Sequence, residues 1–301
     1  MSSVESVEHV GPGIPVDQLN PPGPAGGKPP LGRRTVAYLG LAALSIVCVL
    51  PFVWMLATSL KTVDEVIREP HRLIPSDPQF GNYTSLWQDF PMSAWIWNSF
   101  KISGLVTLGV VATSALAAYA FARIEFPGRN IVFLAFLATL MIPGMVYQVP
   151  KFAMIQELGW QNSHTALIVP ALSSAFGVFL LRQFFLTLPK ELEEAARMDG
   201  AGHFRIFTRI ILPLSGPALA TLAVFTFIGT WNDFLNPLLF IDDYEKYTLQ
   251  IGLTFLNEQH RSVVNFNRLM AGDVIALVPM IVVFIVAQRY YVRGIALTGI
   301  K

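Results

Sequence analysis

Residues 188–213 read Leu-Pro-Lys-Glu-Leu-Glu-Glu-Ala-Ala-Arg-Met-Asp-Gly-Ala-Gly-His-Phe-Arg-Ile-Phe-Thr-Arg-Ile-Ile-Leu-Pro, from Leu188 to Pro213. A plain connection between helices takes about 2–8 residues, so a segment of this length has a structure of its own. Its pattern is helix–turn–helix. Thr187 is placed to cap, Pro189 stands where a first helical residue is tolerated, and Glu191, Glu193 and Glu194 put negative charge in the first turns. Gly200 and Gly202 end the first helix, because glycine adopts left-handed backbone at little cost. A second helix presents Phe204, Phe207 and Ile211 on one face and closes before Pro213. Ala195, Ala196 and Gly200 make the bend a compact knob that another protein can approach closely.

Outward from this segment, charge disappears. Thr165–Leu181 before it is uncharged, and Leu214–Ile241 after it holds one acid, Asp233. The same withholding recurs over Val36–Leu60, Ile102–Ala122 and Ile131–Pro150, while Ala271–Ala287 holds only Asp273. Each run matches the roughly 20 apolar residues that cross ~30 Å of hydrocarbon, and each is apolar around its whole circumference rather than along one stripe. The sequence therefore predicts an all-α integral membrane protein with six transmembrane helices.

Composition agrees. The 301 residues are 53% hydrophobic and 14% charged, against about 25% charged in a soluble domain. So much apolar material excludes disorder as the main state. A net charge of +1 argues against a broad basic face for nucleic acid, and the single Cys48 excludes a disulfide framework or a multi-cysteine metal site. With the N terminus inside, the inner side carries thirteen Lys and Arg and the outer side eight, which places both termini in the cytoplasm. The first span is too long, and starts too far in, for a cleavable signal peptide. Residues 1–33, rich in Gly and Pro, are expected to be a disordered cytoplasmic tail.

Glu194-Ala195-Ala196, then Gly200, Ile210 and Leu212-Pro213 at their spacings, resemble the EAA signature of type I ABC importer permeases. Thr230-Trp231-Asn232-Asp233-Phe234-Leu235-Asn236-Pro237-Leu238, with Pro279 and Gln288-Arg289-Tyr290-Tyr291-Val292-Arg293-Gly294, resembles the carbohydrate-uptake branch, the relatives of the maltose permease's smaller subunit. The resemblance implies the type I permease fold and a multi-pass subunit in a bacterial or archaeal cell membrane. It implies residues 34–94 as first transmembrane helix and outer loop, 95–293 as the permease domain with a coupling loop at 187–213, and 294–301 as a cytoplasmic tail. It further implies that Glu194, Ala195, Ala196, Asp199, Gly200, Ile210, Leu212 and Pro213 form the loop that docks on a cytoplasmic ATPase dimer. The implied partners are that ATPase, a second homologous permease and an extracytoplasmic sugar-binding protein, with a carbohydrate as substrate. Gly294–Lys301 is similar in position to the tail that reaches toward the ATPase in maltose-type relatives.

The residues themselves show no nucleotide site. Gly27-Lys28 has Pro22 where a phosphate-binding loop needs its first Gly, so ATP and Mg²⁺ are expected on the partner ATPase and no cofactor on this chain. The five histidines have no metal-ligand spacing, and no metal or catalytic constellation is expected. Acids within spans are costly and face a partner or a water-filled path. Asn232, Asp233 and Asn236 are thus candidates for the translocation path, with Asn232 and Asn236 on one helical face and Asp233 about 100° around. The same cluster also reads as a polar join between span five and its neighbours. An ion-gradient-driven secondary transporter or channel is the alternative class; it would call for paired half-sequences or an intramembrane proton relay. The outer loop Asp242–Leu269, with Asp242, Asp243, Glu245 and Glu258, is expected to touch the binding protein.

Overall fold

The computed structural model describes residues 31–258 and 266–298. Every regular element among the described residues is helical. The expected N-terminal tail lies outside the described residues except for 31–33, where α1 (Leu31–Ser59) opens. The tip of the outer loop at 259–265 and the last residues, 299–301, also lie outside them. The chain forms two compact units, Met1–Pro51 and Phe52–Lys301. In the first, the described side chains of α1 are exposed although almost all are apolar, as a lipid-facing helix requires.

The second unit is built on α4 (Met92–Arg123), at about 1.5 Å per residue a rod of ~48 Å. Before it come two short helices, α2 (Val63–Arg68) and α3 (Gly81–Asp89). After it follow α5 (Arg129–Ala138), α6 (Gln148–Glu157), α7 (Thr165–Ile168) and α8 (Ala175–Thr187). Next come α9 (Glu191–Met198), α10 (His203–Ile206), a π-helical turn Phe207–Ile211, α11 (Leu212–Leu214), α12 (Gly216–Trp231) and α13 (Leu235–Phe240). The last are α14 (Leu249–Glu258) and α15 (Phe266–Thr298), which carries the expected C-terminal tail onward as helix from 294 to 298.

The core forms where α4 packs against α8 and α12, and α12 against α15. Close approach decides one residue there. A Cβ on Gly177 of α8 would come within 2.5 Å of Ser114 Oγ on α4 and 3.1 Å of Leu222 on α12, so only glycine lets the three helices meet. At its N-terminal end α4 is pinned to the segment after α13. Trp95 Nε1 donates to Tyr244 O (2.9 Å), and Asn98 Nδ2 donates to Glu245 O (2.8 Å) and Tyr247 O (3.0 Å).

Four described helical segments are long and apolar enough to cross a membrane: Tyr38–Ser59, Met92–Arg123, Thr165–Thr187 and Phe266–Gln288. The count reaches six if each of two bent pairs is one span. Sequence reading gives Ile131–Pro150 as one uncharged span; in the structure Arg129–Met141 and Gly144–Glu157 meet at 94°, with Pro143 at the joint. Proline has no N–H and a fixed φ, which breaks the helix there. The second pair, His203–Leu214 and Gly216–Trp231, bends by 77° at Ser215, just before Pro217.

Candidate functional site

The segment 188–213 folds as a helical hairpin whose turn explains its spacing. Glu191, Glu193 and Glu194 occupy the first turn of α9, where the helix dipole favours negative charge. At the other end Gly200 has φ +77°, its N–H bonds Arg197 O (2.9 Å), and Ala201 N–H bonds Ala196 O (2.9 Å). That pair of bonds closes a Schellman motif, which needs a left-handed residue four positions after the alanine whose carbonyl it caps. Thr187 is not a cap: it ends α8, its hydroxyl donates to Phe184 O (2.7 Å), and Lys190 precedes α9. α8 runs on until the chain turns extended at Leu188, so the hydroxyl bonds back into its own helix.

Glu194, Ala195, Asp199 and Gly200 are exposed, while Ala196, Ile210 and Leu212 are half-buried against the core and Pro213 is exposed within α11. The second helix does not close before Pro213: after the π-helical turn Phe207–Ile211 the chain continues as α11 to Leu214, with Pro213 inside it. Phe207 and Ile211 are buried, yet Phe204 is 74% exposed, as are Met198 (89%) and Leu192 (44%).

One buried arginine holds this hairpin to the bundle. Arg123, the last residue of α4, places Nε 3.0 Å from Glu193 Oε1, a charge contact rather than an aligned hydrogen bond; both side chains are at most 5% exposed. Its guanidinium also donates to Leu188 O (2.7 Å) and to Phe185 O. Arg197 stands 3.9 Å from the other Glu193 oxygen. Beside the pair lies a cleft of about 550 Å³, lined in part by Arg129, Lys190, Glu194, Arg197 and His203.

The second candidate cluster is arranged differently from its sequence reading. α12 ends at Trp231, whose indole donates to Ala276 O (3.1 Å), and Asn232 is its cap. Asn232 and Asn236 therefore share no helical face: the chain breaks over 232–234 and restarts as α13. Asn232 turns to Gln250 (3.4 Å). Asp233 caps the new helix, accepting from Asn236 N (3.3 Å) and Asn236 Nδ2 (2.7 Å). Asn236 Oδ1 in turn accepts from Lys151 Nζ (2.7 Å), which also lies 5.2 Å from the Phe240 ring centroid. Lys151, just past the uncharged run Ile131–Pro150, is the partner that sequence reading missed. The amide relays charge from ammonium to carboxylate, so neither is left uncompensated. These side chains line a cavity of about 50 Å³ into which Ser103 and Thr248 also contribute, both buried and with hydroxyls that have no hydrogen-bond partner among the described residues.

No group of three or more His, Cys, Asp or Glu among the described residues is arranged to hold a metal ion. Outside the spans, His164 is held in one tautomer. Its Nε2–H donates to Lys246 O (2.9 Å), leaving Nδ1 to accept from Lys101 Nζ (3.3 Å). Burial pushes its pKa below the usual histidine value.

Residues 92–297 match the family described as the inner membrane component of binding-protein-dependent transport systems. The arabinooligosaccharides transport system permease protein AraQ of Halalkalibacterium halodurans is 35% identical, covering 87% of this chain and 95% of that protein. The trehalose/maltose transport system permease protein MalG of Thermococcus litoralis is 34% identical over 89% of this chain and 97% of its own length. The sn-glycerol-3-phosphate transport system permease protein UgpE of Yersinia enterocolitica is 37% identical over 81% and 89%. In fold, the chain is similar to a crystal structure of a bacterial ABC transporter that imports alginate, with a TM-score of 0.75, 22% identity and coverage of 85% of this chain and 95% of that one.

Proposed function

Because the chain belongs to the family of inner membrane components of binding-protein-dependent transport systems, we propose that it is the membrane-spanning subunit of an ATP-driven sugar importer. It is a multi-pass cell membrane protein. In the proposed arrangement six spans leave both termini in the cytoplasm, and each bent pair counts as one span. The chain carries no nucleotide site of its own, and ATP and Mg²⁺ bind to a separate ATPase dimer. A second homologous permease completes the pathway, and an extracytoplasmic binding protein delivers a carbohydrate.

The observation that carries this reading is the α9–α10 hairpin. Leu192, Met198 and Phe204 are exposed on a knob that a buried ion pair ties rigidly to α4, which is how a surface built to receive force from another protein is made. In the proposed mechanism Glu194, Ala195, Asp199 and Gly200 face the ATPase. Ala196, Ile210, Leu212 and Pro213 seat the knob on the bundle. Closure of the ATPase dimer pushes the knob, Arg123 passes the displacement to α4, and the bundle exchanges outward for inward access. Asn232, Asp233 and Asn236 lie beside the path, with Asp233 and Asn236 fixed by Lys151. Family membership gives no support to the ion-gradient alternative.

Purification in mild detergent tests the proposal. An ATPase and a second permease should co-purify, and sugar uptake should cease when the ATPase gene is deleted. Uptake that persists without the ATPase refutes it.

A further inference from the structure

We infer that a groove of about 310 Å³ between α8 and α12 is a subsite for one neutral sugar ring, an assignment that rests on the importer reading above. Ligand pockets run from about 300 to 1,000 Å³, so this one has room for a single ring and not for a chain. It is lined by Ser173, Ser174 and Phe176 on one side and by Phe225, Thr226 and Gly229 on the other.

The backbone there is unusual for a membrane span. Within Thr165–Thr187 a 3₁₀ turn, Val169–Leu172, is followed by two extended residues, Ser173 (φ −112°, ψ 128°) and Ser174 (φ −134°, ψ 110°), before α8 begins. Non-helical backbone at membrane depth is tolerated where protein buries it or where it lines a water-filled cavity. One freed carbonyl, Leu172 O, is bonded by Thr113 Oγ1 (2.6 Å), and the Ser173 side chain stands exposed in the groove. A lipid-facing wall has no use for such a break.

The side chains match a sugar ring. Phe176 and Phe225 come from facing helices and sit 6.3 Å apart at 65°, yet remain 43% and 54% exposed. An aromatic face covers the C–H face of a pyranose, while hydroxyls at the rim bond its hydroxyls. Ser173 and Thr226 supply those, and neither hydroxyl has a partner among the described residues. No Lys, Arg, Asp or Glu lines the groove, so a phosphorylated or carboxylated ring would sit there without a counter-charge. Thr230 and Ala171 are shared with the cavity that holds Lys151, Asn236 and Asp233, so the groove abuts that polar cluster.

Gly229 supplies the test. A Cβ at this position meets nothing within 4 Å, so a side chain can leave the backbone here without a clash at its first atom. Cells expressing the complete transporter would be assayed for uptake of labelled maltose, trehalose, an arabinooligosaccharide and sn-glycerol-3-phosphate. Gly229→Phe should lose about tenfold or more of the uptake, with ATP hydrolysis stimulated by the loaded binding protein retained. Phe225→Ala should raise the KM for uptake about three- to tenfold and Phe225→Trp should restore it. To separate blockage from misfolding, Gly229→Cys in a Cys48→Ser background would be alkylated with N-ethylmaleimide after assembly, and uptake should then fall. Loss of no panel member on deleting the gene, together with no ATPase or second permease co-purifying, overturns the importer reading itself. Unchanged uptake in Gly229→Phe or in the alkylated variant overturns the subsite and leaves that reading standing, and uptake confined to the phosphate overturns the neutral ring.

Discussion

The Arg123–Glu193 pair lends itself to a double-mutant cycle. Both groups are nearly sealed from water, and removing one partner of a buried pair leaves an uncompensated charge at a cost of about 3–5 kcal/mol. The two positions are not equivalent. Arg123→Gln strips Glu193 and also the carbonyls of Phe185 and Leu188, whereas Glu193→Gln leaves the arginine its two carbonyl partners. Arg123→Gln should therefore be the worse variant, and the pair Arg123→Gln/Glu193→Gln should cost little more than Arg123→Gln alone. Because the arginine keeps those carbonyls, Glu193→Gln should cost only about 1–3 kcal/mol, and that is then the expected coupling energy. If that energy holds α9 against α4, losing about 3–5 kcal/mol raises the detached population by roughly two to three and a half orders of magnitude. The assay is the thermal transition of the purified transporter, paired with the ratio of sugar moved to ATP hydrolysed. Arg123→Gln should hydrolyse ATP while moving little sugar. Strictly additive single effects, or a normal transport ratio in Arg123→Gln, would refute the reasoning.

Gly200→Leu should uncouple hydrolysis from uptake while the chain still inserts: it forces a branched residue into φ +77° at about 1–2 kcal/mol and adds bulk at the knob, and Gly200→Asn should retain most activity in the same uptake assay. Lys151→Met should lower the thermal transition by leaving Asn236 Oδ1 without its donor and the Asp233 charge without a nearby cation, at about 1–3 kcal/mol, and Lys151→Met/Asp233→Asn should recover part of it in differential scanning fluorimetry. His164 has its folded pKa below the ordinary 6.5, so the unfolded chain takes up its proton first as pH falls. Its contribution is present in full above about pH 6.5 and is lost below, where the imidazolium would face Lys101 and the Lys246 side. The melting temperature should drop between pH 7.5 and about 5.5, and His164→Gln should flatten that drop.

Much of this was legible because charge is a one-dimensional signal. Leaving it out of a run of some 20 residues marks a span whatever the tertiary structure does. The EAA spacing was legible because Ala196 and Gly200 close one local turn. What sequence reading lost lies in breaks and in distant pairs. Periodicity carried Asn232 and Asn236 onto one helix, but Trp231 satisfies its indole on Ala276 and α12 stops there. Lys151 meets Asn236 across 85 positions and Arg123 meets Leu188 across 65, and no local pattern encodes either. Phe204, Phe207 and Ile211 share one face by spacing, yet only Phe207 and Ile211 are covered, a difference that depends on what the bundle places against them.

α4 is bolted at both extremities. One end is hydrogen-bonded through Trp95 and Asn98 to the carbonyls of Tyr244, Glu245 and Tyr247, and the other grips Glu193. An unbroken helix between two fixed attachments cannot shift at one without load on the other. If, as proposed, a binding protein docks at the Tyr244 side and an ATPase at α9, the factor by which the first changes the affinity of the second is the factor by which the second changes that of the first. In the proposed importer, delivery of sugar and engagement of the motor are then one equilibrium observed from opposite faces of the bilayer.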